Sequence, residues 1–257
     1  MPKPRRNDLP APDVQLFRRS LEQFLSTTDE YGRKWADARW GAYAFYDFDG
    51  EPIYVGQTNE QLRVRVRRHL TNQRTDAVAM RILDVFEVAE VELWPLWDFE
   101  GIRRAAEADV QNSARRHLNA VEYAAYVQAI TGSRFRAILN EKIPPVSKPV
   151  TLPPSIRGRV IDPSVADRLG HPDVRIARRA DTLSRLAAVA HERGEVSVGL
   201  RRVLVIQAVR LAWLSAVRLA DAEGREPPHP ATLRTDYLIG SVFEDPDGDG
   251  DVVLPPS

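Results

Sequence analysis

The chain has 257 residues, enough for one large domain or two small ones. Its 36 basic and 36 acidic residues cancel, so overall charge selects no class of partner and local charge must do so. Cysteine is absent, which excludes disulfides and thiolate metal sites. No apolar run approaches the roughly 18 residues of a membrane span. The least polar stretch, 203–217, is interrupted by Gln207 and Arg210. The basic N-terminal start leads into no apolar segment of signal-peptide length. A soluble, cytoplasmic protein without a membrane partner is the expectation.

Residues 1–12 are Pro-rich and charged, as in a loose arm. Residues 13–27 carry Val14, Leu16, Phe17, Leu21, Phe24 and Leu25, a helical stripe with Asp13 as its expected N-cap. From Gly41 to Leu70 the chain reads GAYAFYDFDGEPIYVGQTNEQLRVRVRRHL. Two apolar–aromatic runs flank Asp49-Gly50, a strong hairpin signal because both turn positions tolerate positive φ. Trp35 and Trp40 precede this hairpin and are expected to pack beneath it. A helix is predicted from about Glu60. Its Leu62, Val66 and Leu70 form a buried stripe, and Arg65 and His69 share a neighbouring face. Arg63, Arg67, Arg68 and Arg74 add charge, with no acid between Glu60 and Asp76.

A short helix over 76–83 is predicted next, then a third strand in VFEVAEVELWPL that ends at Pro95. Residues 102–130 read as helix, with a break near 117–119, and Gly132 ends it. Phe135, Ile138 and Leu139 are apolar and precede Asn140. Five prolines between 143 and 154 suggest a linker. Helices are predicted around 165–169, 180–193 and 198–223, the last apolar on most sides and therefore central to a helical domain or a dimer interface. The DPDGDGD stretch at 245–251 is similar to a calcium loop but lacks its closing glutamate, and reads as an acidic tail. The division expected is an arm and helix (1–39), an α+β unit (40–143), a linker (144–155), a helical accessory domain (156–223) and a Pro/Asp-rich tail (224–257).

The ordered series Gly41-Ala42-Tyr43, Tyr54-Val55-Gly56, Arg65 and His69 on a helix, Glu122 and Asn140 resembles the GIY-YIG nuclease superfamily over about residues 40–143. Ala42 and Val55 stand where the family usually has Ile. Arg65 lies slightly further from Tyr54 than is common, so Arg63 is a second candidate for the family's arginine. The resemblance implies an α+β fold, with a three-stranded antiparallel sheet flanked by helices and a helical C-terminal domain after it. It implies a metal-dependent endonuclease that hydrolyses DNA phosphodiester bonds.

In that reading Glu122 holds Mg²⁺, with Mn²⁺ as a substitute. Tyr43 is the general base, with Tyr54 as its partner. Arg65 clamps the scissile phosphate. His69 donates to a phosphate oxygen or orients Tyr43, and Asn140 orients Glu122 or nearby backbone. Arg63, Arg67, Arg68 and Arg74 would contact the DNA backbone. Each residue also has a plainer role. Glu122 closes a capping box with Asn119. The tyrosines are ordinary strand residues, the arginines a solvated face, His69 structural and Asn140 a turn residue. Arg157, Arg159, Arg175, Arg178 and Arg179 suit either DNA gripping or packing. The expected class is a bacterial restriction or defence nuclease acting on double-stranded DNA as a homodimer. The alternatives are a repair or structure-specific nuclease and a non-catalytic DNA-binding module on a nuclease fold.

Overall fold

The computed structural model describes residues 10–71, 82–102, 107–233 and 235–243. The fold is α+β. The strands are β1 (Gly41–Tyr46), β2 (Pro52–Thr58), β3 (Glu90–Pro95) and β4 (Ile156–Arg159). They form one antiparallel sheet in the order β2-β1-β3-β4. Seven α-helices lie among the described residues: α1 (Pro12–Leu25), α2 (Leu62–Thr71), α3 (Ala108–Gly132), α4 (Pro163–Gly170), α5 (Pro172–Arg193), α6 (Val198–Glu223) and α7 (Thr235–Ile239).

The sheet therefore has four strands where three were expected. The fourth is the tetrapeptide IRGR, too short and too charged to show a strand period. Its pairing partner supplies what its sequence lacks. Glu90 lies opposite Arg159 and Glu92 opposite Arg157, so acids face bases across the ladder. Arg157 bonds Glu90 Oε2 at 2.6 Å, and its guanidinium sits 3.5 Å from the Tyr46 ring centroid. Gly158 gives Phe24 of α1 room, since a Cβ there would stand 2.8 Å from the Phe24 ring.

The β1–β2 connection is a hairpin, as the Asp49-Gly50 pair predicts, but only Gly50 has positive φ (69°). Gly50 N–H donates to Asp47 O, and Asp47 N–H donates to Glu51 O. Asp47 Oδ1 accepts from the N–H groups of Asp49 and Glu51 at 2.9 and 3.1 Å. The turn is thus built on the Asp47 side chain. Helix α2 begins at Leu62 and buries Leu62, Val66 and Leu70 as patterned. Helix α1 is capped by Ala11 without a side-chain bond, and Asp13 sits inside its first turn. Helix α3 is unbroken, so Asn119 and Glu122 are mid-helix residues and form no capping box. The short helix predicted at 76–83 falls largely outside the described residues, as do Arg74 and the acidic tail.

Asp47 also anchors the C-terminal helices. Arg175 and Arg179 of α5 and Arg210 of α6 approach its Oδ2 at 3.3, 2.9 and 2.7 Å. Glu87 takes Arg178 at 2.5 Å and Arg179 at 3.1 Å, and Asp49 takes Arg175 at 2.9 Å. Arg175, Arg178 and Arg179 thus pair within the protein, which is the packing alternative and not the DNA-gripping one. The apolar core is shared too: Leu186, Val189, Leu200, Val203 and Ile206 join the same buried cluster as β1 and β3.

By length and composition α6 is apolar enough to cross a membrane, although Gln207 and Arg210 interrupt it. In this fold both residues tie α6 to the rest of the chain. Gln207 Nε2 donates to Ile82 O at 2.9 Å, and Arg210 is 1% exposed beside Asp47.

Removing one partner of a buried ion pair leaves uncompensated charge and costs about 3–5 kcal/mol. Asp47→Ala, which leaves the buried Arg210 without an acidic partner and takes one partner each from Arg175 and Arg179, should lower the unfolding free energy by about that amount. Urea denaturation followed by circular dichroism measures it, and an unchanged midpoint would contradict the arrangement.

Candidate active site

Strand register brings the two tyrosines together. Tyr43 pairs with Gly56 and Phe45 with Tyr54, so Tyr43, Phe45 and Tyr54 share one face. The Tyr43 phenol lies over Gly56, where an added Cβ would come within 2.6 Å of its oxygen. Glycine is needed there for space. Tyr54 packs beside it, with ring centroids 6.2 Å apart.

Helix α2 brings Arg65 and His69 to the same point. Tyr43 Oη is 3.0 Å from His69 Nε2, and Arg65 Nε donates to Tyr43 Oη at 3.3 Å. With Arg65 donating, the Tyr43 proton can pass to His69 Nε2, which accepts it when the imidazole is neutral. Burial, and then the charges of Arg65 and Arg68, hold His69 down at about 4, so it is neutral at pH 7. Burial, reinforced by Tyr54, pushes the Tyr43 hydroxyl well above the usual phenol range, against the opposing pull of Arg65. Tyr43 is 0% exposed, so its oxygen meets only protein groups.

Arg63 turns away from this point. Its guanidinium donates to Leu25 O at 2.9 Å and pairs with Asp37 at 2.5 Å, tying α2 to the end of α1. Of the two candidate arginines, Arg65 is the one beside Tyr43. Arg67 pairs with Glu22, and Arg68 pairs in a bidentate way with Glu60 at 2.5 and 2.8 Å. The basic face of α2 is therefore largely matched by acids from α1 and its own approach segment.

Glu122 enters from α3. Burial raises its carboxyl to about 7, opposed by the Arg65 charge and a hydrogen bond from Gln57. The Glu122 charge also acts on Tyr43 and Tyr54, so the acid lies within electrostatic reach of both. Asn140 plays a different part. Its Nδ2 donates to Val55 O at 2.8 Å and its Oδ1 accepts from Val55 N–H at 3.0 Å. Leu139 N–H donates to Ile53 O. Residues 139–140 thus seal the outer edge of β2 between Tyr54 and Gly56, and Asn140 orients backbone, not Glu122.

Gln57 and Arg115, not singled out in the sequence, border the site together with Asn119, which was read there only as a helix cap. Gln57 Nε2 donates to Asn119 Oδ1 at 2.8 Å. Arg115, Asn119 and Glu122 stand at i, i+4 and i+7, one face of α3. That spacing was readable, but only once the helix was known to be unbroken. A cleft of about 310 Å³ beside Arg65 is lined by Trp40, Gln57, Asn59, Arg115 and Asn119, among others.

Among the described residues no three His, Cys, Asp or Glu side chains cluster as a protein-only metal cage. Compared with protein-family models, curated proteins and solved structures, the chain matches none.

A carboxyl whose folded value exceeds its unfolded one destabilises the fold as it ionises. Its penalty is absent below the unfolded value of 4.5 and complete above about 7. Glu122→Gln should therefore gain stability on wild type as pH rises from 4.5 to 7.5, by up to about 3 kcal/mol. Denaturant melts at several pH values test this, and a constant difference between the two proteins would contradict it.

Proposed function

We propose that the chain is a metal-dependent phosphodiesterase acting on DNA, of the GIY-YIG type that its sequence resembles. One observation carries the reading: Arg65, Tyr43 and His69 are joined by hydrogen bonds, with Glu122 coupled electrostatically to Arg65. Three elements, β1, α2 and α3, and about eighty residues of chain converge to make this arrangement. A satisfied core needs no ionisable group so poised between neutral and charged forms at neutral pH.

The donor set fits a hard cation. Glu122 offers carboxylate oxygens, no soft sulfur ligand of the thiolate kind exists in the chain, and Mg²⁺ takes one or two carboxylates with water and substrate oxygens completing the shell. Glu122 would hold it, and a bound Mg²⁺ or Mn²⁺ would offset the negative charge that builds on the phosphorus centre. Arg65 reaches both the tyrosine pair and the cleft, so its guanidinium takes the non-bridging phosphate oxygens. The raised Tyr43 rules against a standing phenolate. The enclosed Tyr43 hydroxyl instead has a positioning role: it accepts from Arg65 Nε and pairs with His69 Nε2, so it fixes the guanidinium that would face the phosphate. Asn140 keeps Tyr54 and Gly56 in register by holding Val55 between them. Backbone contacts to DNA would use the groove between α1 and α2, where Arg18, Arg67 and Arg68 lie. A duplex cutter with one such centre would act as a homodimer in the cytoplasm, and restriction or defence is the favoured setting.

The full burial of Tyr43 favours a second reading, a DNA-binding module without turnover. Plasmid DNA incubated with Mg²⁺ or EDTA separates the two. Nicking or cutting with Mg²⁺ is expected, lost by about 10²-fold or more in Glu122→Ala and in Arg65→Ala while DNA binding persists in Glu122→Ala. Intact plasmid across many sequences, modified and unmodified, with binding retained, would leave the binding module standing.

A further inference from the structure

Two residues that line the cleft beside Arg65 each carry a buried polar atom with no hydrogen-bond partner in the protein: the Trp40 indole Nε1 and the Gln57 Oε1. Trp40 is 6% exposed. One atom is a donor and the other an acceptor, and each unpaired buried group costs about 1–3 kcal/mol. Two such atoms on residues of one cleft mark a place where a ligand, not the fold, completes the hydrogen bonding. The cleft charge is positive where it is not matched. Glu60 is held by Arg68, whereas Arg115 is exposed and no described acid pairs with it. At about 310 Å³ the cleft stands at the small end of ligand sites, which run from about 300 Å³, so it suits one small molecule-sized unit and not a duplex.

We infer that this cleft is a subsite for one nucleotide unit of the substrate strand, adjacent to the bond cut. Arg115 takes its phosphate, and Trp40 and Gln57 take the polar edge of its base. This rests on the phosphodiesterase reading of the neighbouring centre, and it adds a substrate-binding role for Arg115, Gln57 and Trp40. An unstacked nucleotide can enter so small a cleft, whereas a base held inside an intact duplex cannot. The indole N–H requires an acceptor and the carboxamide oxygen a donor, so a bare phosphate does not meet both needs.

The test uses the full chain in EDTA, where no bond is cut. The five tryptophans give five indole N–H signals in a proton–nitrogen correlation spectrum, and Trp40→Phe identifies that of Trp40. The protein is titrated with each of the four deoxynucleoside 5′-monophosphates, with 2-deoxyribose 5-phosphate and with inorganic phosphate. A saturable shift of the Trp40 signal is expected with at least one nucleotide and not with either base-free phosphate. Arg115→Gln, at an exposed position, should weaken that binding about tenfold without changing the unliganded spectrum. No Trp40 shift with any nucleotide, or equal shifts with inorganic phosphate, would overturn the subsite. A protein that shows the shift but never cuts DNA keeps the subsite and loses the nuclease. One that cuts without the shift keeps the nuclease and loses the subsite.

Discussion

The Tyr43 phenol fills the space that a side chain at position 56 would need, and much of the candidate site depends on that contact. It fixes which residue of β2 can stand opposite Tyr43. A one-residue slip would put a side chain under the ring and send Tyr54 to the other face. The outer edge of β2 is held from the other side by Asn140, which pairs with both polar groups of Val55 as a neighbouring strand would. Hence a glycine, a tyrosine and an asparagine far apart in the chain act on one short piece of backbone.

The other end of the same hairpin is fixed electrostatically. Asp47 makes the turn with its Oδ1 and receives three arginines at its Oδ2. Burying such charges is costly, and only close pairing compensates. Burial even lowers Arg210 from the usual arginine range, against the pull of Asp47. The helices beyond the proline-rich stretch are thereby joined to the hairpin by charge as well as by the shared apolar core.

Much of this was legible locally. The hairpin, the α2 stripe and the Arg65/His69 pair follow from periods of two, three and four residues, which short sequence windows carry. Arg65 and not Arg63 reaches Tyr43, as their helix faces imply. What was missed depends on distant partners. IRGR becomes a strand only because Glu90 and Glu92 wait on β3. Arg175, Arg178 and Arg179 resemble a solvated basic face until Asp47, Asp49 and Glu87 are placed beside them. The unsatisfied atoms of Trp40 and Gln57 have no sequence signature at all, since they are defined by what fails to approach them.

The arrangement makes one group unusually informative. His69 contacts Tyr43, packs against both tyrosine rings, and is neutral because it is buried beside guanidinium groups. Its protonation midpoint therefore reports whether β1, β2 and α2 meet as described. Nitrogen-15 NMR titration of the imidazole, assigned with His69→Gln, measures it directly. The account predicts a midpoint at about 4. A midpoint near the unperturbed value of about 6.5 would mean that His69 faces solvent and that the site is not assembled in this way.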